Sequence, residues 1–489
     1  MSNQSPLRHD RLNLFALLVA LIGGLSLFVL FRNHGFDDSY ITFRYAANLA
    51  AGQGFVYNPG ERILSTTAPL YALLLTPAAL VGFDLPLVGN LLSYLGYAGG
   101  GLALFQLGRI WERPLAGTGA GLIYLCYPLW IGALGGETGL YQALVLWGFV
   151  AVAAHRPKTA AGLLAVATLV RADGALAGLC AGIFIVTTAW NLLPPGRRNL
   201  NSLLRHLPWD AAAVYLLIVI AWLIFAWSYF GSPFPITLDV KQRQSLIAAS
   251  RPFLGGLIDY LGGVWSLPLY RPMFLLALAG LLATIRRPVW LLPIGWGMLY
   301  GVAYMLLDVP GYFWYYTAPL TALLIAAGVG LDAVFGFVAR FTPRLAPVVA
   351  ALLLAVILSG EAASLGYLYQ RPDQRLEPYR AVGTWLAANT AHDESVGALE
   401  VGIIGYYSRR PMVDFAGLIN PDISEHYSVA GGYRDSARYA ITHYQPALVV
   451  VQEPELPLTA ISAAPEQCRE VFRHSGPGPT SRLIIYRCR

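Results

Sequence analysis

Long apolar runs separated by short polar breaks dominate the first three quarters of the chain. They fall at roughly residues 12–31, 85–107, 115–133, 138–154, 158–171, 174–191, 208–230, 271–285, 289–307, 317–339 and 345–362. A helix of about twenty apolar residues covers the hydrocarbon thickness of a bilayer. The pattern therefore predicts a polytopic α-helical membrane protein with about eleven crossings by that twenty-residue rule. Several runs are shorter, as spans are where helices break beside a site. Residues 39–51 place Tyr40, Phe43, Ala47 and Ala50 at helical intervals, which predicts a short helix along the membrane surface. Residues 69–81 are apolar but short, and the pattern alone leaves open whether they cross or lie in plane.

From residue 361 the pattern changes. Residues 377–389 read as an amphipathic helix, 396–401 and 411–415 as strands, 434–444 as a helix and 447–451 as a buried strand. Residues 471–474 and 483–486 read as a hairpin around the turn at 476–479. This divides the chain into a membrane module over 1–362, with 32–83 as a first outer loop carrying in-plane helices, and a small α/β domain over 363–489. About 125 residues suffice for a core of its own.

Composition agrees: 56% hydrophobic and 12% charged residues over 489 exclude an ordinary soluble protein. Charge then sets sidedness. If 69–81 does not cross, the basic clusters Arg109/Arg113, His155/Arg156/Lys158, Arg197/Arg198/Arg205, Arg286/Arg287 and Arg340/Arg344 all face the cytoplasm. If it crosses, all of them move outside, so the in-plane reading is preferred. The N-terminus, with Arg8 and Arg11 ahead of an uncleaved first span, is then cytoplasmic. The same parity gathers Asp37/Asp38, Gly135 to Thr138, Arg171 to Gly174, residues 231–270 and 308–316, and the C-terminal domain on the outer face of the membrane. The +6 net charge fits this distribution, and no nucleic-acid-binding signature is present. Cys126 and Cys180 lie in apolar runs as packing residues. Cys468 and Cys488 sit symmetrically about Gly478, and both a disulfide and free thiols stay open for them.

Asp37 and Asp38 are the most informative polar residues, because adjacent ionisable acids at the mouth of a span are costly to desolvate. Sugar transfer with inversion needs one base for the acceptor hydroxyl and cations for the departing phosphate. One acid of the pair can face the acceptor while the other caps a helix or binds a cation; alternatively both cap. Glu137 is either an acid at a helix start or a substrate ligand. Arg171 and Asp173 break an apolar stretch and either pair with each other or contact substrate. Lys241 and Arg243 are candidate phosphate ligands, or contacts to lipid headgroups. Tyr315 belongs to the aromatic run 312–316, an interfacial belt or a sugar platform. Glu400 at a strand end is either an acceptor contact or part of an ordinary loop. The chain has no P-loop, G-x-S-x-G, H-E-x-x-H or Cys/His metal spacing, so no resident metal is assigned.

Residues 36–62, F-D-D-S-Y-I-T-F-R-Y-A-A-N-L-A-A-G-Q-G-F-V-Y-N-P-G-E-R, resemble the first outer loop of GT-C fold, polyprenyl-phosphate-sugar-dependent glycosyltransferases. They are most similar to the branch containing the terminal arabinofuranosyltransferase of mycobacterial arabinan, and more distantly to protein O-mannosyltransferases and the lipid A aminoarabinose transferase. Gly136-Glu137-Thr138, Arg171-Ala172-Asp173-Gly174, residues 231–237 and 400–408, and Asp414 to Pro421 are further marks in the same order. The resemblance implies an inverting transferase of a prokaryotic plasma membrane, moving a pentose such as arabinofuranose, or mannose. The donor is a polyprenyl-phosphate sugar, and the acceptor a hydroxyl of an extracytoplasmic glycan, glycolipid or protein. It implies Asp37 as general base and Asp38 as its support or as ligand of a divalent cation. Lys241, with Arg44, Arg171 or Arg243, would hold the phosphate. Ala172 and Asp173 stand where the family often has proline and glutamate, and Ile236 where it has asparagine, which leaves the sugar open. A transporter or flippase of lipid-linked sugars is the rival reading. It predicts internal repeats with matching broken helices, which the sequence does not show.

Overall fold

The structure, a computed structural model, describes residues 6–248, 250–475 and 482–488, with backbone only for 6–15 and for residue 197. The predicted hairpin turn at 476–479 lies outside the described residues. Each apolar run predicted to cross is helical. After α1 (Pro6–Phe31), the first polar stretch forms α2 (Asp37–Ala50) and α3 (Pro69–Leu80). The bundle continues with α4 (Leu85–Ile110), α5 (Pro114–Cys126), the one-turn α6 (Leu129–Gly132), α7 (Thr138–Ala153), α8 (Pro157–Val170) and α9 (Gly174–Leu192). A short α10 (Leu200–His206) leads to α11 (Trp209–Phe230), then α12 (Thr237–Gln244) and α13 (Phe253–Ser266). The module closes with α14 (Arg271–Thr284), α15 (Leu291–Leu306), α16 (Thr317–Phe341) and α17 (Ala346–Gln370).

Length separates these helices. Among the described residues, 6 are long and apolar enough to cross a bilayer, and 7 if the bent pair α13 and α14 counts as one span. Helices α5, α7 and α8 are shorter because Pro128 and Pro157 and the Arg171 to Gly174 break interrupt the apolar runs. The sequence reading took 231–270 as a loop, but α13 is a helix within it, meeting α14 at a 101° bend. Glycines 255, 256, 262 and 263 weaken the helical signal there, and only packing rescues it. Helix α3 has 12 residues, a rise of about 18 Å, short of the roughly 30 Å hydrocarbon core.

The bundle core is aromatic, with Tyr97, Tyr124, Trp130, Tyr141 and Trp296 all buried. Its tightest helix contact joins α14 and α16. A Cβ on Gly280 would lie 1.8 Å from the Ala326 carbonyl oxygen, and one on Gly330 1.8 Å from that of Leu276. Only glycine permits that approach.

The C-terminal domain is a five-stranded sheet in the order β2-β1-β3-β5-β4. Its strands are β1 (Val396–Ala398), β2 (Met412–Asp414), β3 (Leu448–Glu453), β4 (Cys468–Ser475) and β5 (Arg482–Cys488). Strand β1 runs parallel to β2 and β3, while β5 is antiparallel to β3 and β4. The register pairs Cys468 with Cys488, which form a disulfide. The helices are α18 (Leu376–Asn389), α19 (Gly402–Ser408), α20 (Tyr433–Tyr444) and the short α21 (Leu458–Ile461). Two expectations change. The boundary at 362/363 falls inside α17, where the fully buried Glu361 is helical. The strand predicted over 396–401 stops at Ala398, and what reads as a loop beyond Glu400 is α19. The domain does not stand apart: Tyr40, Phe43, Tyr45 and Tyr57 of the first outer loop share one hydrophobic core with Tyr379, Ile403, Ile404 and Val450.

Candidate active site

Asp37 and Asp38 open α2, where the partial positive charge of a helix start favours acids. Adjacent helical positions point about 100° apart, and the two side chains go to different places. Asp37 turns toward the C-terminal domain. Its Oδ2 accepts from the Gly402 amide at 2.8 Å and its Oδ1 from the Ile403 amide at 2.7 Å, so it caps α19. A Cβ on Gly402 would fall 1.9 Å from the Asp37 carbonyl oxygen, so this contact requires glycine. Asp38 instead lines a cavity of about 610 Å³, with one oxygen 4.0 Å from the Lys241 ammonium.

Glu400 joins Asp37 rather than the cavity. Burial, and then the charge of Glu400, push the Asp37 carboxyl well above its usual range, against the pull of the Ile403 and Gly402 amides. Burial, and then the charge of Asp38, also raise Glu400, which hydrogen-bonds Asp37. Two buried carboxyls this close oppose each other's ionisation, and both are raised.

The cavity floor is an ionic network at the break between α8 and α9. Arg171 donates to Glu137 at 3.0 Å and to Asp173 at 2.8 Å. Tyr300 and Tyr304, stacked one turn apart on α15, donate to the same Asp173 oxygen at 3.0 and 2.7 Å. Arg171, Glu137 and Asp173 all line the cavity. Sequence reading left open whether Arg171 and Asp173 pair, and they do. Flanked by two acids, Arg171 is not a free cation for a phosphate, and that expectation is corrected. Tyr300 and Tyr304 were missed. Their signal was two tyrosines at i and i+4 on an apolar helix, whose buried hydroxyls need partners.

The opposite wall is aromatic. Lys241 on α12 lies 4.2 Å above the Tyr312 ring and 5.9 Å from Trp314. Tyr312 stacks on Trp314, which in turn stacks on Phe36. Tyr315 lines the cavity against Tyr304. The run 312–316 thus faces the site in part, beyond an interfacial role.

Two other sequence candidates sit elsewhere. Arg44 is buried, and its guanidinium donates to the carbonyls of Tyr57, Gly405 and Arg410 and to Asn58, a strut from α2 to the C-terminal domain. Its donors are committed, so it holds no phosphate here. Arg243 points away from the cavity toward Asp239 and Glu425. One acid was overlooked. Asp414 is buried and accepts from the amides of Ala416, Leu418 and Ile419, which places Leu418 in the cavity wall. Burial pushes its carboxyl up to about 7 against those hydrogen bonds.

Among the described residues no three His, Cys, Asp or Glu side chains gather as a metal site. Asp38 has the Lys241 ammonium 4.0 Å away.

Residues 368–482 match a family described as a domain of unknown function (DUF8728). No curated protein matches the chain. Solved structures do. ArnT from Cupriavidus metallidurans bound to undecaprenyl phosphate superposes with a TM-score of 0.63 at 16% identity, covering 97% of each chain. Its apo state gives 0.64 at 16% identity, covering 98% of each. The archaeal oligosaccharyltransferase AglB from Archaeoglobus fulgidus, in complex with an inhibitory peptide and a dolichol-phosphate, gives 0.63 at 14% identity, covering 97% of this chain and 74% of its own. At such identities the likeness concerns architecture: this chain has the GT-C fold of a multi-pass helical membrane protein with a small C-terminal α/β domain.

Proposed function

We propose that the chain is an inverting glycosyltransferase that moves a sugar from a polyprenyl-phosphate donor to an acceptor hydroxyl. The observation that carries this reading is Asp38 facing Lys241 across the mouth of a cavity floored by Glu137, Arg171 and Asp173. Asp38 takes the proton as the acceptor oxygen bonds to the anomeric carbon. The bond from that carbon to the phosphate oxygen breaks on the opposite face, and Lys241 stabilises the charge that the phosphate gains. In-line displacement puts base and phosphate on opposite faces of the anomeric carbon, so the pair, 4.0 Å apart here, separates as donor and acceptor enter between them. Glu137 spends one oxygen on Arg171, and its other oxygen makes no hydrogen bond among the described residues, which suits it to accept from a sugar hydroxyl. The base is thus Asp38 rather than Asp37, whose oxygens are held by α19.

The polyprenyl chain lies in an apolar groove of about 510 Å³ between α8, α9 and α11, which shares Ala175 with the cavity. That ArnT binds undecaprenyl phosphate and AglB a dolichol-phosphate supports a lipid phosphate as donor. The resemblance of residues 36–62 points to a pentose such as arabinofuranose, with mannose as the second candidate. Cavity and C-terminal domain face the outside of a prokaryotic plasma membrane, and the N-terminus faces the cytoplasm. The test is transfer from polyprenyl-phosphate arabinofuranose or mannose by the purified chain in vesicles. Product formation that depends on Asp38 supports the reading, and binding without turnover for either donor rejects it.

A further inference from the structure

A second apolar cavity, of about 650 Å³, lies between α6, the bend from α13 to α14 and the last turns of α17. That volume is within the range of roughly 300–1,000 Å³ typical of ligand pockets. No charged side chain lines it; Leu129, Leu267, Leu269 and Leu368 supply apolar surface, and Tyr260 and Ser364 supply hydroxyls. It shares no lining residue with the groove on α8, α9 and α11. Its wall toward the site is Phe313. That ring lies 6.3 Å from Phe36 and 4.9 Å from Trp314, and both of those line the catalytic cavity. Two aromatic layers in contact, Phe313 on one side and Phe36 with Trp314 on the other, therefore separate the two cavities, and Phe36 stands immediately before the acid pair.

Behind the lining residues lies an unmet polar group. Glu361 is fully buried, and neither of its oxygens has a hydrogen-bond partner among the described residues. It stands next to Gly360 in sequence and beside Tyr270, and both of those line the pocket.

We infer that this pocket seats the hydrocarbon chain of the acceptor, which is a lipid-anchored sugar. The inference rests on the proposed transferase reading and names its acceptor class. A water-borne acceptor needs no apolar slot, and the donor's chain is assigned to the groove that shares Ala175 with the cavity. A chain in the second pocket would bring its head group past Phe36 and Trp314 to Asp38. The acceptor would then approach from one side of the site and the donor from the other, as displacement with inversion requires.

The test is photolabelling of the full chain in phosphatidylethanolamine/phosphatidylglycerol vesicles. The probes are dodecyl glucoside, polyprenyl phosphate and phosphatidylethanolamine, each with a chain-end diazirine. The glycoside is expected to label residues 260–270 and 360–368, and the polyprenyl phosphate α9 and α11, without mutual competition. Ala363→Trp, at an exposed position lining the pocket, should cut the glycoside's labelling at least about fivefold and spare the polyprenyl phosphate's. The milder Ala363→Leu should act in the same direction if the tryptophan disturbs folding. Labelling by the phospholipid as strong as by the glycoside, polyprenyl phosphate in this pocket, or indifference to both variants would overturn the inference. Failure of polyprenyl phosphate to label α9 and α11 would instead count against the transferase reading.

Discussion

Asp37 and Asp38 share a helix start, a peptide bond and a chemistry, yet they serve different halves of the molecule. Asp37 is spent on two backbone amides of α19 and lies beside the buried Glu400, whereas Asp38 opens onto the cavity opposite Lys241. The difference shows how a doublet of acids can join a domain to a membrane module with one member and leave the other for chemistry. Arg44 and Lys241 repeat the contrast among the cations, one bound by carbonyls at the domain interface and one facing the cavity.

The largest test of this division is Asp38→Asn. Loss of a general base lowers turnover by roughly 10²–10⁴-fold, so transfer should fall about a thousandfold while the melting temperature stays within a degree or two. Next comes Asp37→Ala, which strips two amides of their acceptor. It should destabilise the docked C-terminal domain by about 2 kcal/mol, read as a lower melting temperature and faster proteolysis between α17 and α18. Wild-type stability after that change would dissolve the contrast.

A smaller effect concerns pH. Asp37 and Glu400 are both raised in the folded chain, so the fold binds protons that the unfolded chain releases. Their contribution is fully present below the unfolded carboxyl range near about 4 and is lost as pH rises through the raised folded values. The melting temperature should therefore decline with rising pH more steeply in the wild type than in Glu400→Gln. Equal slopes would mean that Glu400 is not raised in the folded chain. The smallest effect is Arg243→Ala. Its exposed pairs with Asp239 and Glu425 should be worth less than about 1 kcal/mol, and the KM for the donor should not change. A large rise in KM would place the phosphate at Arg243 instead.

Much of this was legible in the sequence. The apolar runs became helices because their length and period leave a helix no better way to satisfy its backbone in lipid. The strands after residue 396 appeared near their expected positions, and Asp38, Glu137, Arg171, Asp173 and Lys241, all singled out in the sequence, line one cavity. What escaped depends on distant partners. Nothing local says that Asp37 meets amides at 402 and 403, that Arg44 is consumed by carbonyls at 405 and 410, or that Tyr304 reaches Asp173. Helix α13 was hidden by its own glycines, and α19 was too short to show a period.

The most direct test of the central claim is a structure of the chain with a polyprenyl phosphate bound. The account predicts phosphate oxygens within hydrogen-bond distance of Lys241, Asp38 open to the cavity beside them, and Asp37 still holding the amides of Gly402 and Ile403. A phosphate seated away from Lys241, or Asp37 swung into the cavity with α19 released, would contradict it.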